Sequence, residues 1–233
     1  MSFLNKILLD AIHLFYPSVC LGCGSDTIIN KQLLCLNCIN ALPHTGYASL
    51  QGNALEKIFT GRLPVSAAHS EFYFSKGKLV QHLIHELKYK SNKDIGHYMG
   101  EMMGKTLLQS GRFSKIDYLV PLPLFPEKEF KRGYNQSEII CNGLSAVMNI
   151  PVLKNNVLRK HATETQTRKH RAERWENVAE SFLVKHPEKI TGKHILLVDD
   201  VVTTGATLEA CGQVILKAQP ASLSFACLAK ASK

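Results

Sequence analysis

The stretch "ILLVDDVVTTGATL" at residues 195–208 constrains this chain more than any other. Four apolar residues, Ile195 to Val198, suit a strand buried on both faces. Such a strand rarely runs into adjacent carboxylates, yet Asp199 and Asp200 follow at once. In open α/β sheets the carboxyl ends of the strands hold the ligands. Residues 201–205 then read as a loop, and Thr207 or a neighbour as the start of a helix. A loop of small residues entering a helix N-terminus presents free N–H groups and a positive dipole end, which together favour a phosphate. Gly205 permits close backbone approach, and Thr203, Thr204 and Thr207 add hydroxyl donors. The carboxylates repel phosphate, but they suit sugar hydroxyls and a hydrated divalent cation. Together the pattern asks for a ribose 5-phosphate. The plainer alternative is an Asp-Asp cap after a core strand.

A second constraint lies near the N-terminus. Cys20, Cys23, Cys35 and Cys38 form C-x2-C-x11-C-x2-C. Gly22 and Gly24 mark a tight turn in the first pair, and Asn37 one in the second. Two such turns supply four thiolates and no open position, which is the pattern of a structural Zn2+ site. Disulfides and a redox Cys-x-x-Cys pair are the alternatives. Cys141, Cys211 and Cys227 lie in apolar contexts and read as packed thiols.

No apolar run approaches the ~20 residues needed to span a bilayer. In "MSFLNKILLDAIHLFYP" Asp10 and His13 interrupt the apolar stretch, and Leu4, Ile7, Leu8, Ala11, Ile12 and Phe15 share one helical face. This reads as a packed amphipathic helix, with a membrane-surface helix as the alternative, and predicts a cytoplasmic protein. The chain carries a net charge of +9. Lys6, Lys31 and Lys57 balance Asp10, Asp26 and Glu56, so the whole excess falls in residues 61–233. Such a field attracts phosphorylated metabolites and nucleic acid alike; a merely basic surface is the other reading.

Along the chain, residues 1–42 read as the helix plus the four-cysteine module, and 43–64 as a Gly/Pro-marked linker. Residues 65–233 alternate strands and helices, which predicts a parallel sheet flanked by helices. "VSAAHSEFYF", "DYLVPLPLF", "HILLV" and "SLSFACLAK" read as strands, the second stopped by its prolines. "KGKLVQHLIHELKYK", "KDIGHYMGEMMGKTLLQ", "NQSEIICNGLSAVM" and residues from about Ala206 to Ala218 read as helices, with Asn135 a candidate cap.

"ILLVDDVVTTGAT" resembles the thirteen-residue phosphoribosyl pyrophosphate signature of type I phosphoribosyltransferases, and all thirteen positions fit. The four-cysteine module, "VPLPL", "RGYNQ", "TQ" at 165–166 and R-x-x-N-V at 174–178 make the whole chain resemble the competence-associated ComF family. The resemblance implies an α/β type I phosphoribosyltransferase fold with a small N-terminal zinc ribbon. It also implies Mg2+-dependent binding of phosphoribosyl pyrophosphate. Asp199 and Asp200 would be catalytic, and Val201, Val202, Thr203, Thr204, Gly205, Ala206 and Thr207 would hold the ligand. Arg132, beside Gly133, is a candidate phosphate fork. Lys88 is a further phosphate contact or a solvated charge at a helix end. Arg159, Arg168, Lys169, Arg171 and Arg174 lie in a basic segment that resembles the mobile flap closing over a diphosphate, or else form a solvated surface. Here Arg168, Lys169 and Arg171 replace the apolar character common in the family.

Three functions follow from this reading. One is phosphoribosyl transfer to an acceptor that no residue pattern identifies. Another is a module that handles single-stranded DNA during natural transformation, with the DNA-uptake machinery as partner. The third, a phosphoribosyl pyrophosphate sensor, is disfavoured because no helix-turn-helix is evident.

Overall fold

The structure is a computed structural model that describes residues 19–26, 28, 32–75, 77–160 and 181–231. The expected N-terminal helix, within residues 1–17, lies outside these. The chain divides into two units, Met1–Leu42 and Pro43–Lys233.

In the first unit a turn at residues 21–23 is closed by Gly24 N donating to Cys20 O at 2.8 Å. Gly24 sits at φ +75°, which a side chain would strain. Leu21 N donates to Leu33 O at 2.9 Å, bringing the second cysteine pair alongside the first. Cys35 then caps helix α1, Leu36–Asn40.

The second unit is built on a four-stranded parallel sheet in the order β1-β6-β5-β2. The strands are β1 (Ala67–Phe74), β2 (Tyr118–Pro121), β5 (His194–Val202) and β6 (Ser222–Ala231). Strands β3 (Val157–Arg159) and β4 (Phe182–Val184) form a separate antiparallel pair. The helices are α2 (Glu56–Phe59), α3 (Leu79–Tyr89), α4 (Lys93–Ser110), α5 (Pro126–Arg132), α6 (Gln136–Met148) and α7 (Ala206–Lys217).

The near-continuous apolar run of β5 is explained by burial on both faces. Ile195 and Leu197 join Leu223, Phe225 and Cys227 of β6 and Leu208, Cys211 and Ile215 of α7 in one cluster. The alternate residues Leu196, Val198, Ala226 and Leu228 are equally buried. Helices α4 and α6 pack backbone to backbone: a Cβ on Gly100 would collide with Ile140 O, and one on Gly143 with His97 O. Asn135 caps α6, its side chain accepting from Ser137 N at 2.9 Å, as the sequence predicts.

Residues 43–64 differ from the expected linker, because they are part of the second unit. The side-chain amide of Asn53 donates to the carbonyls of Tyr47, Leu50 and Ala68, and its oxygen accepts from Leu55 N and Glu56 N. That network turns the segment inward. Leu55 and Phe59 enter the core, where Phe59 meets Phe225 edge-on at 4.7 Å. The Gly and Pro residues that suggested a linker are the turns of a folded strap.

Candidate functional site

The site opens where the sheet loses a strand. Pro121 ends β2 opposite Val198, and the last contact on that side is Leu122 N donating to Val198 O at 2.8 Å. Proline has no N–H to continue the ladder. β5 runs on to Val202 with β6 on its other side, pairing Asp199 with Cys227 and Val202 with Lys230. Asp199 and Asp200 therefore lie inside the strand, at the start of its one-sided stretch. Val201 and Val202 also belong to the strand, where the sequence suggested a loop.

Both carboxylates are buried, and one of their oxygens, Asp200 Oδ2, is incompletely satisfied. Asp199 Oδ1 accepts from Asp200 N at 2.8 Å and from Ser137 Oγ at 3.3 Å. Burial, followed by the neighbouring Asp200 charge, pushes the Asp199 carboxyl up to about 7. Lys88 Nζ, from α3, lies 2.9 Å from Asp200 Oδ1 and 2.8 Å from Oδ2, aligned as a hydrogen-bond donor only to the first. Buried Asp200 Oδ2 has no hydrogen-bond partner among the described residues. A buried carboxylate oxygen without a donor is costly unless a ligand supplies one.

Thr203 and Thr204 are exposed, and Thr204 Oγ1 accepts from Ala206 N at 3.4 Å. Gly205 caps α7 at φ +80°. A Cβ there would approach Ile58 Cγ2 to 2.9 Å and Phe59 Cε1 to 3.0 Å, so the buried strap dictates the glycine. Ala206 and Thr207 form the first turn of α7, whose cap supplies no side-chain hydrogen bond. The N-terminal amides of α7 thus face the exposed threonines with the dipole behind them.

Lys88 and Arg132 line a common cleft. Arg132 Nη1 donates to Gln136 Oε1, and its guanidinium stands 5.7 Å from the Tyr89 ring. Arg159 departs from the expectation of a flap residue. It belongs to β3, with its guanidinium 3.7 Å from the Phe125 ring and 5.0 Å from that of Phe182. Burial lowers its pKa, against the pull of Cys211 and Asp199. Arg168, Lys169, Arg171 and Arg174 lie outside the described residues. Sequence reasoning missed Ser137 as a partner of Asp199, although it directly follows the "RGYNQ" that carries the resemblance.

In the first unit the four sulfurs of Cys20, Cys23, Cys35 and Cys38 all lie within 4.8 Å of one another. Cys23 and Cys35 are 3.7 Å apart, close to the ~3.8 Å edge of a tetrahedron with ~2.3 Å metal–sulfur bonds. Burial alone would raise the Cys20 thiol, but backbone N–H groups of Cys35, Cys23 and Gly22 outweigh it and bring the group to about 6. Burial, reinforced by the neighbouring thiols, pushes the Cys38 thiol up instead; together the four sulfurs form a group that could hold a metal ion.

A model of the phosphoribosyl transferase domain matches residues 143–233. The DNA utilization protein YhgH of Escherichia coli K12 is 30% identical over 151 residues, covering 64% of this chain and 66% of the relative, just under two thirds of its length. Competence protein F of Haemophilus influenzae is 27% identical over 218 residues, which is 87% of this chain and 93% of the relative. Competence protein ComFC of Bacillus subtilis is 33% identical over 121 residues, or 49% of this chain and 47% of the relative. Among the described residues no helix is long and apolar enough to cross a membrane. The chain carries a phosphoribosyltransferase-like α/β domain after a four-cysteine module and is similar to the competence proteins F and ComFC, in line with its resemblance to the ComF family.

Proposed function

We propose that the second unit binds phosphoribosyl pyrophosphate with Mg2+ and transfers its ribose phosphate to a nitrogen acceptor in the cytoplasm. The observation that carries this reading is the pair Asp199–Asp200, buried where β5 loses its neighbour and followed directly by the Thr203–Thr207 loop and the α7 N-terminus. The loop amides and threonine hydroxyls hold the 5-phosphate. Asp199 and Asp200 take the ribose hydroxyls, and Lys88 and Arg132 face the diphosphate. Hard carboxylate oxygens fit Mg2+, which would neutralise the diphosphate as it leaves. Val201, Val202 and Ala206 act through the backbone, setting the direction of the loop. Arg159 steadies the base of the β3–β4 hairpin by stacking on Phe125, and Arg168, Lys169, Arg171 and Arg174 complete the diphosphate contacts.

Calorimetric titration with phosphoribosyl pyrophosphate and Mg2+ tests this. Expected is one site per chain that weakens sharply when Mg2+ is withheld. Heat that is absent, or indifferent to Mg2+, contradicts it. Pyrophosphate release against a panel of bases then reads transfer itself.

The four-cysteine cluster holds one structural Zn2+ in this reading, since four thiolates leave no open position. Metal analysis of protein purified without chelator should find about one equivalent, lost in the Cys20→Ser, Cys35→Ser variant. The second unit should keep its fold in that variant, because its core is built from its own strands. Finding no zinc contradicts the assignment.

A second reading is handling of single-stranded DNA in natural transformation. The names of the relatives favour it, as does the net +9 confined to residues 61–233.

A further inference from the structure

The strap at residues 43–64 runs along one face of α7 and reaches the turn that follows the threonine loop. Gly205, Glu209 and Gly212 fall at i, i+4 and i+7, so they share that face. Each of them meets the strap. A Cβ on Gly205 would approach Ile58 Cγ2 to 2.9 Å, and one on Gly212 would approach Leu63 Cδ1 to 3.1 Å. Between the two glycines, Arg62 Nη1 donates to Glu209 Oε2 at 3.3 Å. The glycines are explained by the close approach of the strap. The acid between them is not.

Glu209 lies in the first turn of α7, with its side chain only 7% exposed. Helical side chains lean toward the N-terminus, which directs this carboxylate back over the turn at Gly205 and Ala206. A carboxylate there is attracted by the positive end of the helix. It is therefore a rival to any anion the loop takes, since both are drawn to the same unpaired first-turn amides. Burial also leaves its field poorly screened by salt. Uncompensated, it would repel a phosphate from the loop. Among the described residues one cation, Arg62, pairs with it. The Arg62 side chain is half exposed, but its strap neighbours Phe59 and Leu63 are buried and fix where it can reach.

We propose that Arg62 is a positioning residue for the 5-phosphate of the ribose ligand, acting through Glu209. It holds the Glu209 carboxylate against the strap, cancels its charge, and leaves the Thr203–Thr207 loop and the α7 N-terminus to the phosphate. The strap thus sets the loop twice, by contact at Gly205 and by charge at Glu209. The inference rests on the ribose-phosphate reading above, whose site is marked independently by the unpartnered oxygen of buried Asp200 among the described residues.

Two variants break this ion pair from opposite ends. Arg62→Met keeps the apolar stem and leaves the carboxylate uncompensated, whereas Glu209→Gln keeps the shape and removes the charge. Calorimetric titration of the full chain with Mg2+ and phosphoribosyl pyrophosphate should find Arg62→Met about five-fold weaker than the wild type and Glu209→Gln about five-fold tighter, the effect of one charge at a helix end. The double variant should return close to the wild type. An ion pair that only supports the fold gives both single variants the same sign, and that result overturns the inference. So does a double variant as weak as Arg62→Met, because Arg62 then touches the phosphate itself. Ribose 5-phosphate, added as a competitor, should rank the chains in the same order. Inorganic pyrophosphate with Mg2+ lacks the 5-phosphate and should bind all of them alike. A pyrophosphate affinity that shifts in step overturns the inference, since the charge then acts on the whole site rather than on the loop. A wild type that binds no phosphoribosyl pyrophosphate ends the ribose-phosphate reading and this inference together. A wild type that binds, with both single variants unchanged, ends this inference alone.

Discussion

Two strands of one sheet carry buried acids, and the protein treats them in opposite ways. On β1, Glu71 is almost fully buried, and partners surround it. Its Oε1 accepts from His44 Nδ1 at 2.9 Å and from Thr106 Oγ1 at 3.0 Å, and its Oε2 from His69 Nε2 at 2.8 Å. Burial alone would raise this carboxyl, but the bonds from His44 and His69 outweigh it and hold the group at about 2. On β5, Asp199 and Asp200 share one lysine, one serine and one backbone N–H, and Asp199 is driven up to about 7. A fold that can satisfy a buried acid completely has packed two others side by side at the open end of its central strand and left one oxygen, Asp200 Oδ2, without a hydrogen-bond donor among the described residues. Under-satisfied carboxylates cost stability, and their retention points to a ligand that completes them.

The largest effect expected from this contrast is at Glu71. Glu71→Ala leaves buried His69 without its carboxylate and Thr106 with only Met102 O to donate to. Loss of one partner from a buried ionic network typically costs about 3–5 kcal/mol. Denaturant unfolding should show a drop of that size. A loss under ~1 kcal/mol would mean the cluster is no structural anchor, and the contrast with β5 would dissolve.

Acid should expose the same difference more gently. With Glu71 held near 2 in the folded state and near 4.5 when unfolded, the unfolded chain takes up a proton first as pH falls. The stability that Glu71 contributes is therefore complete above about 4.5 and is lost progressively toward 2. Unfolding free energy measured against pH should fall more steeply across that window in the wild type than in Glu71→Gln. Equal slopes would contradict the assignment.

The smallest effect is expected at His44. The hydrogen bond to Glu71 raises its pKa above 6.5, so its contribution is present below 6.5 and fades as pH rises through the folded value. His44 is half exposed, and exposed ion pairs are worth about 0–1 kcal/mol. His44→Ala should cost no more than that at pH 6 and less at pH 9, by thermal or denaturant unfolding.

These two acid clusters also show what a sequence discloses. The β5 pair is legible because its parts are consecutive: strand, carboxylates, loop and helix start fall within fourteen residues. The cysteine cluster is legible for the same reason, as two local turns at fixed spacing. The Glu71 cluster joins residues 44, 69, 71 and 106, and nothing local announces that they meet. Asn53 hides likewise, since its five hydrogen bonds exist only once the strap has turned inward. Helix α5 is short and follows prolines that read as the end of a strand. Strands β3 and β4 are three residues each, too brief for any alternation to register. Lys88 was visible as a charge at a helix end, but its ion pair with Asp200 depends on α3 packing beside β5.

The central claim is that Asp199 and Asp200 are kept for a ligand rather than for the fold. Asp199→Asn and Asp200→Asn hold the shape and remove the charge, so unfolding and ligand titration can be read on the same two proteins. The account predicts that each variant unfolds within ~1 kcal/mol of the wild type, or above it, because removing an under-satisfied buried charge relieves strain in the site. It predicts at the same time a loss of at least ten-fold in Mg2+-dependent affinity for phosphoribosyl pyrophosphate, from charge-assisted contacts worth about 1.5–3 kcal/mol each. Variants that bind as the wild type does while losing several kcal/mol of stability would show that the pair serves the fold, as Glu71 does.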